Sequence, residues 1–332
     1  MKTISYICLL GVLLIGCSKK PNLLTYEGQI MGTYYSVKLF AESSDPKLST
    51  KIKNELERVN NVFSTYEKDS ELSRLNRSKA GEKIMLGQEL MYVLDLSKRI
   101  HSQTSGYFDV TVGPVVNAWG FGPDKIRMRP SKQKLKSLKE NVGMELFSLD
   151  EKSVQKKKKD VYIDLSAIAK GYAVDHLLLF LKKQDYKSAL VEIGGEVRSL
   201  GKKLNGKPWL IGIEKPSESL GKGIQAVVAL ENMAMATSGS YRNYVKYGDE
   251  VFGHTIDPIT GEPANNTMIS VTVLSPECAK ADAYATAMLA MGIDKAKELA
   301  KKLKLAAYFI VKKGERVDIV MSEAFKPFIK EI

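Results

Sequence analysis

The residues best suited to chemistry lie in one alanine-rich stretch, residues 281–292, with the sequence ADAYATAMLAMG. As a helix, this stretch would place Asp282 and Thr286 four residues apart, so that a carboxylate and a hydroxyl project from one face. Apart from Tyr284, the other side chains carry no oxygen and suit a buried helix. Two such oxygens could hold a hard cation, although the same pair also occurs as a helix cap or a solvated pair. The interpretation therefore depends on the segments that precede it.

A second candidate is residues 164–171, DLSAIAKG, which the pattern places at a strand-to-helix junction. A helix N-terminus presents free backbone N–H groups and the positive end of the helix dipole, and both suit a phosphate. Lys170 would add a formal charge there. The alternative is an ordinary helix that is capped by Asp164 or Ser166 and leaves Lys170 in solvent.

A third candidate, residues 253–261 with the sequence GHTIDPITG, contains His254, one of three histidines. This histidine lies beside a short predicted strand that ends in an Asp-Pro-x-Thr-Gly turn, which could fix an imidazole at the rim of a cleft. A single histidine is more often structural than catalytic, so both interpretations stay open on this segment alone.

A long irregular stretch, residues 105–130, interleaves glycines with Tyr107, Phe108, Trp119 and Phe121. Glycines allow backbone to approach a ligand closely, and aromatic side chains provide flat apolar walls. This composition suits a planar ring system, and it suits a tightly packed loop equally well.

The pattern of helices and strands around these segments predicts an α+β fold with a mainly antiparallel sheet and flanking helices. The four- and three-residue spacing of Leu48, Ile52, Leu56, Val59 and Phe63 predicts one amphipathic helix. Further helices are predicted at residues 69–76, 88–104, 131–141 and 168–183, with two more near the C-terminus. Strands are predicted at residues 28–40 with a bend at 31–33, and at 145–149, 161–164, 188–193, 196–200, 209–214, 224–230 and 268–275, before a final hairpin.

The order of these elements decides the fold class. Strands that follow one another without an intervening helix favour antiparallel pairing over a doubly wound parallel sheet. No proline- and serine-rich linker divides the chain, so we expect a single catalytic unit over residues 28–325, which could form two lobes.

The first residues predict export and a lipid anchor. One lysine and an apolar run precede Leu14-Ile15-Gly16-Cys17, which resembles a bacterial lipobox. Residues 1–16 would be a lipoprotein signal peptide, Cys17 would carry the lipid, and residues 17–27 would form a tether. We therefore expect a protein on the periplasmic side of the cell envelope, anchored to the inner membrane. Cys278 would then be the only other cysteine of the mature chain, either as a small buried side chain or as an exposed thiol.

The net charge of +12 invites a nucleic-acid interpretation, but the predicted export argues against it. The lysine run at residues 156–159 suggests the solvated turn of a hairpin between the strands at 145–149 and 161–164, or attraction to anionic lipid. Neither a P-loop nor a G-x-G-x-x-G fingerprint is present, and there is no G-x-S-x-G elbow or cysteine–histidine metal cluster. A hard cation, a basic helix start, an aromatic loop and a histidine together suggest chemistry on a phosphate ester of a flat ring.

Taken in order, these segments resemble the ApbE family of flavin-trafficking lipoproteins, the FAD:protein FMN transferases. The resemblance runs from about Gln29 to about Ile310 and is carried by residues 31–33 (MGT), 63–66 (FSTY), 106–114 (GYFDVTVGP), 164–171, 194–196 (GGE), 237–239 (TSG), 254–258 (HTIDP) and 281–283 (ADA). One position departs from the usual family pattern, since Ala169 stands where glycine is common.

The resemblance implies Mg²⁺-dependent transfer of the FMN part of FAD to a threonine hydroxyl of a target protein, with release of AMP. It implies that the cation binds the Ala167 carbonyl, Asp282, Thr286 and phosphate oxygens of FAD, and that His254 is the general base. It implies that FAD is bound by Met31, Tyr66, Tyr107, Phe108, Asp109, Asp164, Lys170 and Ile256. A pyrophosphate displacement needs neutralisation of phosphate charge, and a threonine hydroxyl needs a base near neutral pKa, so these roles are chemically consistent.

Two other functions remain open at this stage. A Mg²⁺-dependent FAD pyrophosphatase would use water in place of threonine, and a lipoprotein could bind flavin without catalysis. The resemblance implies that the targets are subunits of a sodium-translocating NADH:quinone reductase, of an Rnf-type complex, or of another extracytoplasmic flavoprotein.

Overall fold

The structure is a computed structural model that describes residues 21–122, 128–216, 223–240, 244–264, 267–314 and 316–330. The predicted signal peptide and Cys17 lie outside these ranges, so the predicted anchor stays a prediction. The predicted domain boundary at residue 28 falls inside a strand, Asn22–Ile30, which includes residues 22–27 of the predicted tether. Within these ranges, no helix has the length and apolar character that a bilayer-spanning segment needs.

Eight α-helices are described. They are α1 (Leu48–Phe63), α2 (Glu71–Arg77), α3 (Gln88–Gln103), α4 (Gly113–Ala118), α5 (Lys132–Lys139), α6 (Ala169–Lys183), α7 (Cys278–Met291) and α8 (Ile293–Leu303). The five residues that predicted the amphipathic helix α1 are all buried, which confirms the spacing argument.

The described strands are mostly short. They are β1 (Asn22–Ile30), β2 (Thr33–Ala41), β3 (Lys83–Met85), β4 (Phe147–Leu149), β5 (Ser153–Lys156), β6 (Ala189–Ile193), β7 (Glu196–Leu200), β8 (Trp209–Glu214), β9 (Ile224–Leu230), β10 (Ala234–Gly239), β11 (Tyr244–Tyr247), β12 (Glu250–Gly253), β13 (Ile256–Asp257), β14 (Glu262–Pro263), β15 (Met268–Ser275), β16 (Ala306–Lys313), β17 (Arg316–Met321) and β18 (Ile329–Lys330).

The main sheet contains eight strands in the order β1-β2-β6-β7-β10-β15-β16-β17, and all its neighbours pair antiparallel. The prediction of an α+β fold with a mainly antiparallel sheet is thereby confirmed. Smaller sheets are β3-β5-β4, β18-β9-β8 and the two hairpins β11-β12 and β13-β14.

The central strands of the main sheet are buried on both faces. Val191 and Phe309 point to the face that packs against α1, α6 and α7, whereas their neighbours Leu190 and Tyr308 point to the sheet β18-β9-β8. A third cluster lies apart from both faces and joins the loop after α3 to the β11-β12 and β13-β14 hairpins. It contains Val115, Trp119, Leu135 and Ile256, with Phe252 and Tyr247 against it.

The predicted lysine turn is wrong. Lys156 ends β5 with a fully buried side chain, and its Nζ donates to the carbonyls of Asn76, Lys159 and Val161 at 2.7, 3.0 and 3.1 Å. The turn of the hairpin lies instead at residues 150–152, between β4 and β5. Residues 161–164 are not a strand, because the Asn76 side chain and the Val110 carbonyl bind their backbone in place of a sheet neighbour.

Candidate active site

Two tight turns meet at one end of the main sheet. Met31 and Gly32 connect β1 to β2 with φ of 51° and 71°, and Gly194 and Gly195 connect β6 to β7 with φ of 60° and 100°. Two-residue hairpin loops with positive φ match the twist of antiparallel strands. A Cβ on Gly194 would lie 2.9 Å from the Thr33 side chain, so the turns are in contact. Met31 holds a backbone conformation that long side chains seldom adopt, and such strain is typical of functional positions.

The contact between α6 and α7 brings two predicted metal ligands together. The amide of Gly171 donates to Asp282 Oδ2 at 3.1 Å. In a regular helix this amide would bond the carbonyl four residues earlier, which is that of Ala167. Within the described residues no donor reaches that carbonyl. The same contact therefore fixes Asp282 and leaves the Ala167 carbonyl oxygen available to a ligand.

Thr286 lies one turn further along α7. Its Oγ1 is 3.2 Å from Ser238 Oγ on β10, and Thr237 Oγ1 is 2.8 Å from Thr272 Oγ1 on β15. The sheet therefore orients the Thr286 hydroxyl through Ser238, as the helical spacing of the sequence could not show.

Lys170 is held between two buried carboxylates. Its Nζ lies 3.2 Å from Glu196 Oε1 and 3.5 Å from Asp282 Oδ2. Burial lowers the pKa of Lys170, but the two carboxylates raise it above its ordinary value, so the lysine stays charged. Burial raises the pKa of Glu196 to about 8, with Lys170 opposing the rise and Asp282 adding to it. The alternative that leaves Lys170 in solvent is therefore wrong.

These donors fit a hard cation that also binds a phosphate. The described ranges contain no group of three His, Cys, Asp or Glu side chains that could hold a metal on its own. A main-chain carbonyl, one carboxylate and one hydroxyl are instead an incomplete oxygen set of the kind Mg²⁺ uses when substrate phosphates supply further ligands. Among the described residues, both polar contacts of the Asp282 carboxylate are to Oδ2, which leaves Oδ1 for a cation.

The start of the α6 segment is ordered by Asp164. Its Oδ1 accepts from the amide and the hydroxyl of Ser166 at 2.9 and 2.5 Å, and its own amide donates to Val110. Asp164 is thus the acceptor of a local turn, although α6 itself begins only at Ala169. Partial burial and the charge of Asp164 raise the pKa of Tyr66, an exposed tyrosine. Tyr66 also lines a cavity of about 580 Å³.

The predicted aromatic wall is only partly exposed. Tyr107 is half-buried and accepts a hydrogen bond from Lys295, whose Nζ lies 4.8 Å from the centre of its ring. Phe108 packs into the core and is 2% exposed, and its amide and carbonyl are bound by Thr104 and His101. In this conformation its ring presents no wall to a ligand.

Asp109 is also buried. Its Oδ1 accepts from the amide and hydroxyl of Thr111 at 2.8 and 2.5 Å, and burial raises its pKa. Its observed contacts are those of a residue that orders the loop. A Cβ on Gly113 would lie 3.2 Å from the Asp164 Cβ, so this loop packs directly against the start of the α6 segment.

His254 lies between β12 and β13, on the third cluster. Its ring centre is 6.3 Å from that of Phe121, and Trp119 Nε1 donates to the Gly261 carbonyl at 3.0 Å across the same region. Ile256 is 6% exposed and belongs to this cluster, and β13 contacts α7. His254 is therefore held on a segment that packs against the helix carrying Asp282.

Sequence reasoning missed the roles of Gly171, Glu196 and Ser238. Each lay within a segment that carried the resemblance, but only the packing of α6, α7, β7 and β10 brings them to the Asp282 carboxylate and the Thr286 hydroxyl. An acid directly after a Gly-Gly turn was the one local signal that could have drawn attention to Glu196. Cys278 resolves to the buried alternative, and burial raises the pKa of its thiol well above the ordinary value.

Known proteins of one family match this chain over nearly its full length. A model of the ApbE family matches residues 31–309. The FAD:protein FMN transferase of Haemophilus influenzae is 40% identical over 323 residues, which covers 94% of this chain and 93% of the relative. The protein of the same name from Vibrio cholerae is 38% identical and covers 96% of this chain and 97% of its own length.

Solved structures agree with the sequence matches. The flavin transferase ApbE from Vibrio cholerae has a TM-score of 0.85 at 37% identity, covering 93% of this chain and 99% of that one. The apo form of the Pseudomonas stutzeri flavinyl transferase ApbE also has a TM-score of 0.85, at 31% identity, covering 93% and 97% of the two chains. The resemblance predicted from the sequence is confirmed, and the chain belongs to the ApbE family.

Proposed function

We propose that this protein transfers the FMN part of FAD to a threonine hydroxyl of a target flavoprotein, in a magnesium-dependent reaction that releases AMP. The coarser prediction, a FAD:protein FMN transferase enzyme, is confirmed by the family match and by relatives of that name that are 38–40% identical. The magnesium, the threonine and the AMP are the proposed additions.

The observation that carries the metal dependence is the contact between Gly171 and Asp282. It orients one carboxylate and leaves the Ala167 carbonyl without a donor among the described residues. Ala167, Asp282 and Thr286 would hold the cation, and FAD phosphates would complete its ligands. When bound, the cation would neutralise charge on the pyrophosphate.

The chain's own residues would perform the remaining tasks. Lys170 supplies a positive charge next to the same site, which suits a phosphate. His254, on the segment that packs against α7, would accept the proton of the threonine hydroxyl, because this hydroxyl is a weak nucleophile without a base. The strained turn at Met31 and the exposed side chain of Tyr66 would also contact FAD.

The location and the partners of the protein are further parts of the proposal. Cys17 would carry a lipid that anchors the protein at the periplasmic side of the inner membrane. The targets would be extracytoplasmic flavoproteins, with subunits of sodium-translocating NADH:quinone reductase or Rnf-type complexes as first candidates. Radiolabelled lipid on the native chain, and none on a Cys17→Ala variant, is the expected test result for the anchor.

Mass spectrometry of a candidate target tests the reaction. After incubation with FAD, Mg²⁺ and this protein, the target should gain one FMN on a threonine, and AMP should appear in equal amount. Asp282→Ala and His254→Ala should abolish both products, and a chelator should do the same to the native protein. Asp294→Ala, at an exposed acid in the first turn of α8, is the matched control and should react normally.

Three results would contradict this function. Equal AMP release with and without a target would favour FAD hydrolysis. Flavin delivery that survives both Asp282→Ala and His254→Ala would favour a non-catalytic flavin carrier. FMN transfer that continues in the presence of the chelator would exclude the proposed magnesium dependence.

A further inference from the structure

In this site, Lys170 forms salt bridges with two buried carboxylates, those of Glu196 and Asp282. The Glu196 and Asp282 side chains are 6% and 4% exposed, and the Lys170 side chain between them is 27% exposed. The distances of 3.2 and 3.5 Å from its Nζ are similar, so Lys170 is shared between the two acids. Two negative charges and one positive charge leave the cluster with an excess of one negative charge when both acids are ionised, which favours a second cation.

Glu196 has a further feature that separates it from Asp282. Its Oε2 is buried and has no hydrogen-bond partner among the described residues. A buried carboxylate is unfavourable unless it is paired, and Lys170 provides the only salt bridge that Glu196 makes within these ranges. This carboxylate is therefore positioned to attract Lys170, while Asp282 also receives the Gly171 amide.

Lys170 and a divalent cation would bind the same carboxylate. Both are positive, so a cation at Asp282 repels the ammonium group, and the ammonium group opposes entry of the cation. If Lys170 is to move away from Asp282 when the cation binds and still remain charged in a buried site, it needs a second negatively charged partner. Glu196, at the start of β7, is that partner.

We propose that Lys170 is the counter-ion of Asp282 in the metal-free site, and that Glu196 is the positioning residue that holds Lys170 aside when a divalent cation binds Asp282. This inference rests on the proposed magnesium dependence. It assigns to Glu196 a role toward the cation without making it a ligand.

Magnesium binding to the FAD-free protein tests this role without any reaction. Calorimetric titration at pH 8.5, above the raised pKa of Glu196, would compare the native protein with Glu196→Gln, Glu196→Asp and Lys170→Met. The glutamine keeps the size but removes the charge. The aspartate keeps the charge but withdraws it from Lys170 by one carbon–carbon bond. Glu192→Gln, at a half-buried acid of β6 that binds the Tyr34 hydroxyl, is the matched control.

The expected pattern is specific to a positioning role. Glu196→Gln and Glu196→Asp should each weaken Mg²⁺ binding about tenfold, Lys170→Met should strengthen it by a similar factor, and Glu192→Gln should stay within about twofold of native. Thermal unfolding without metal would confirm that each variant folds.

Two results would overturn this inference alone. Native-like binding by Glu196→Asp would show that only the charge at this position matters, and weaker binding by Lys170→Met would show that the lysine does not compete with the cation. If the native protein bound no Mg²⁺ without FAD, this inference would be overturned, whereas the proposed magnesium dependence would be tested separately by the effect of the chelator on FMN transfer. FMN transfer by the native protein, measured separately, would still report whether the protein is a transferase.

Discussion

Replacing Gly171 by alanine should push α6 and α7 apart. The added Cβ would lie 2.5 Å from the carbonyl oxygen of Cys278 and 2.7 Å from the Cα of Ala279, both backbone atoms that cannot rotate away. The shorter distance is about 0.9 Å below the 3.4 Å at which ordinary contact begins, so the helices must separate by roughly that amount. The hydrogen bond from residue 171 to Asp282, now 3.1 Å long, would then be lost.

The effects on activity and on stability should differ in size. A displacement of about 1 Å at a catalytic group can lower the rate about 100-fold, and we expect a loss of that order in kcat/KM for FMN transfer. Overpacking costs about 1–3 kcal/mol, but alanine is favoured over glycine in a helix by about 1 kcal/mol. The free energy of unfolding should therefore fall by no more than about 2 kcal/mol.

FMN transfer kinetics and urea unfolding of the same preparation would measure both effects. Gly212→Ala is the matched control, because the atoms nearest to its Cβ would belong to the side chain of Ile224, at 3.3 Å or more, on the neighbouring strand β9. The control should keep native activity. Activity of Gly171→Ala within about threefold of native would refute the idea that the α6–α7 contact sets the position of Asp282.

Three further predictions concern buried charges. Asp175→Asn should lower the free energy of unfolding by about 3 kcal/mol in urea, because the buried Asp175 pairs with the half-buried Arg198 at 2.6 Å and accepts the first two amides of α7; an unchanged midpoint would contradict this. Because the pKa of Glu196 is raised in the folded metal-free protein, the folded protein binds the carboxyl proton of Glu196 more tightly than the unfolded chain does. The protonated carboxyl therefore adds to the free energy of unfolding; this contribution is complete below about pH 4.5 and is lost as the pH rises through 8. Urea unfolding at a series of pH values should show this loss in the native protein and a flatter profile in Glu196→Gln. Lys156→Met should lower the free energy of unfolding by about 2–4 kcal/mol, because three carbonyls lose their hydrogen-bond donor. Lys157→Met, at an exposed lysine, should leave the urea unfolding midpoint unchanged.

Features that depend on near neighbours in the chain could be predicted from the sequence. The spacing of apolar residues identified α1 because a helix buries side chains that are three or four positions apart. The Asp282 and Thr286 pair was recognised for the same reason, since both lie on one face of α7. The antiparallel class of the fold followed from the order of the elements.

Features that depend on pairing across the fold were missed or wrong. The strand β10 was not predicted because its alanines and methionine have little strand preference, and its place between β7 and β15 comes from those partners. The lysines that follow Lys156 predict a solvated turn, but the environment of Lys156 is different. Two positions after Val154, Lys156 points to the same buried face of β5, where carbonyls from other segments satisfy its charge.

In the candidate site too, local features could be predicted from the sequence, whereas features that depend on pairing across the fold could not. Asp282 and Lys170 could be selected as candidates from local pattern, but their shared partner Glu196 could not. The release of the Ala167 carbonyl also depends on two helices that are more than a hundred residues apart in the chain and that come into contact at Gly171. The resemblance to a family supplied residue roles that no spacing rule contains.

The third hydrophobic cluster has a consequence for how such an enzyme can evolve. Trp119 and its neighbours carry His254, whereas Lys170, Glu196 and Asp282 rest on the main sheet and its helices. Under the proposed function, the segment that would face an incoming protein and the segment that would face the phosphates therefore belong to different hydrophobic clusters. We expect mutations around Trp119 to alter which acceptor proteins are used while the nucleotide side stays intact, so that new partners can be acquired without rebuilding the chemistry.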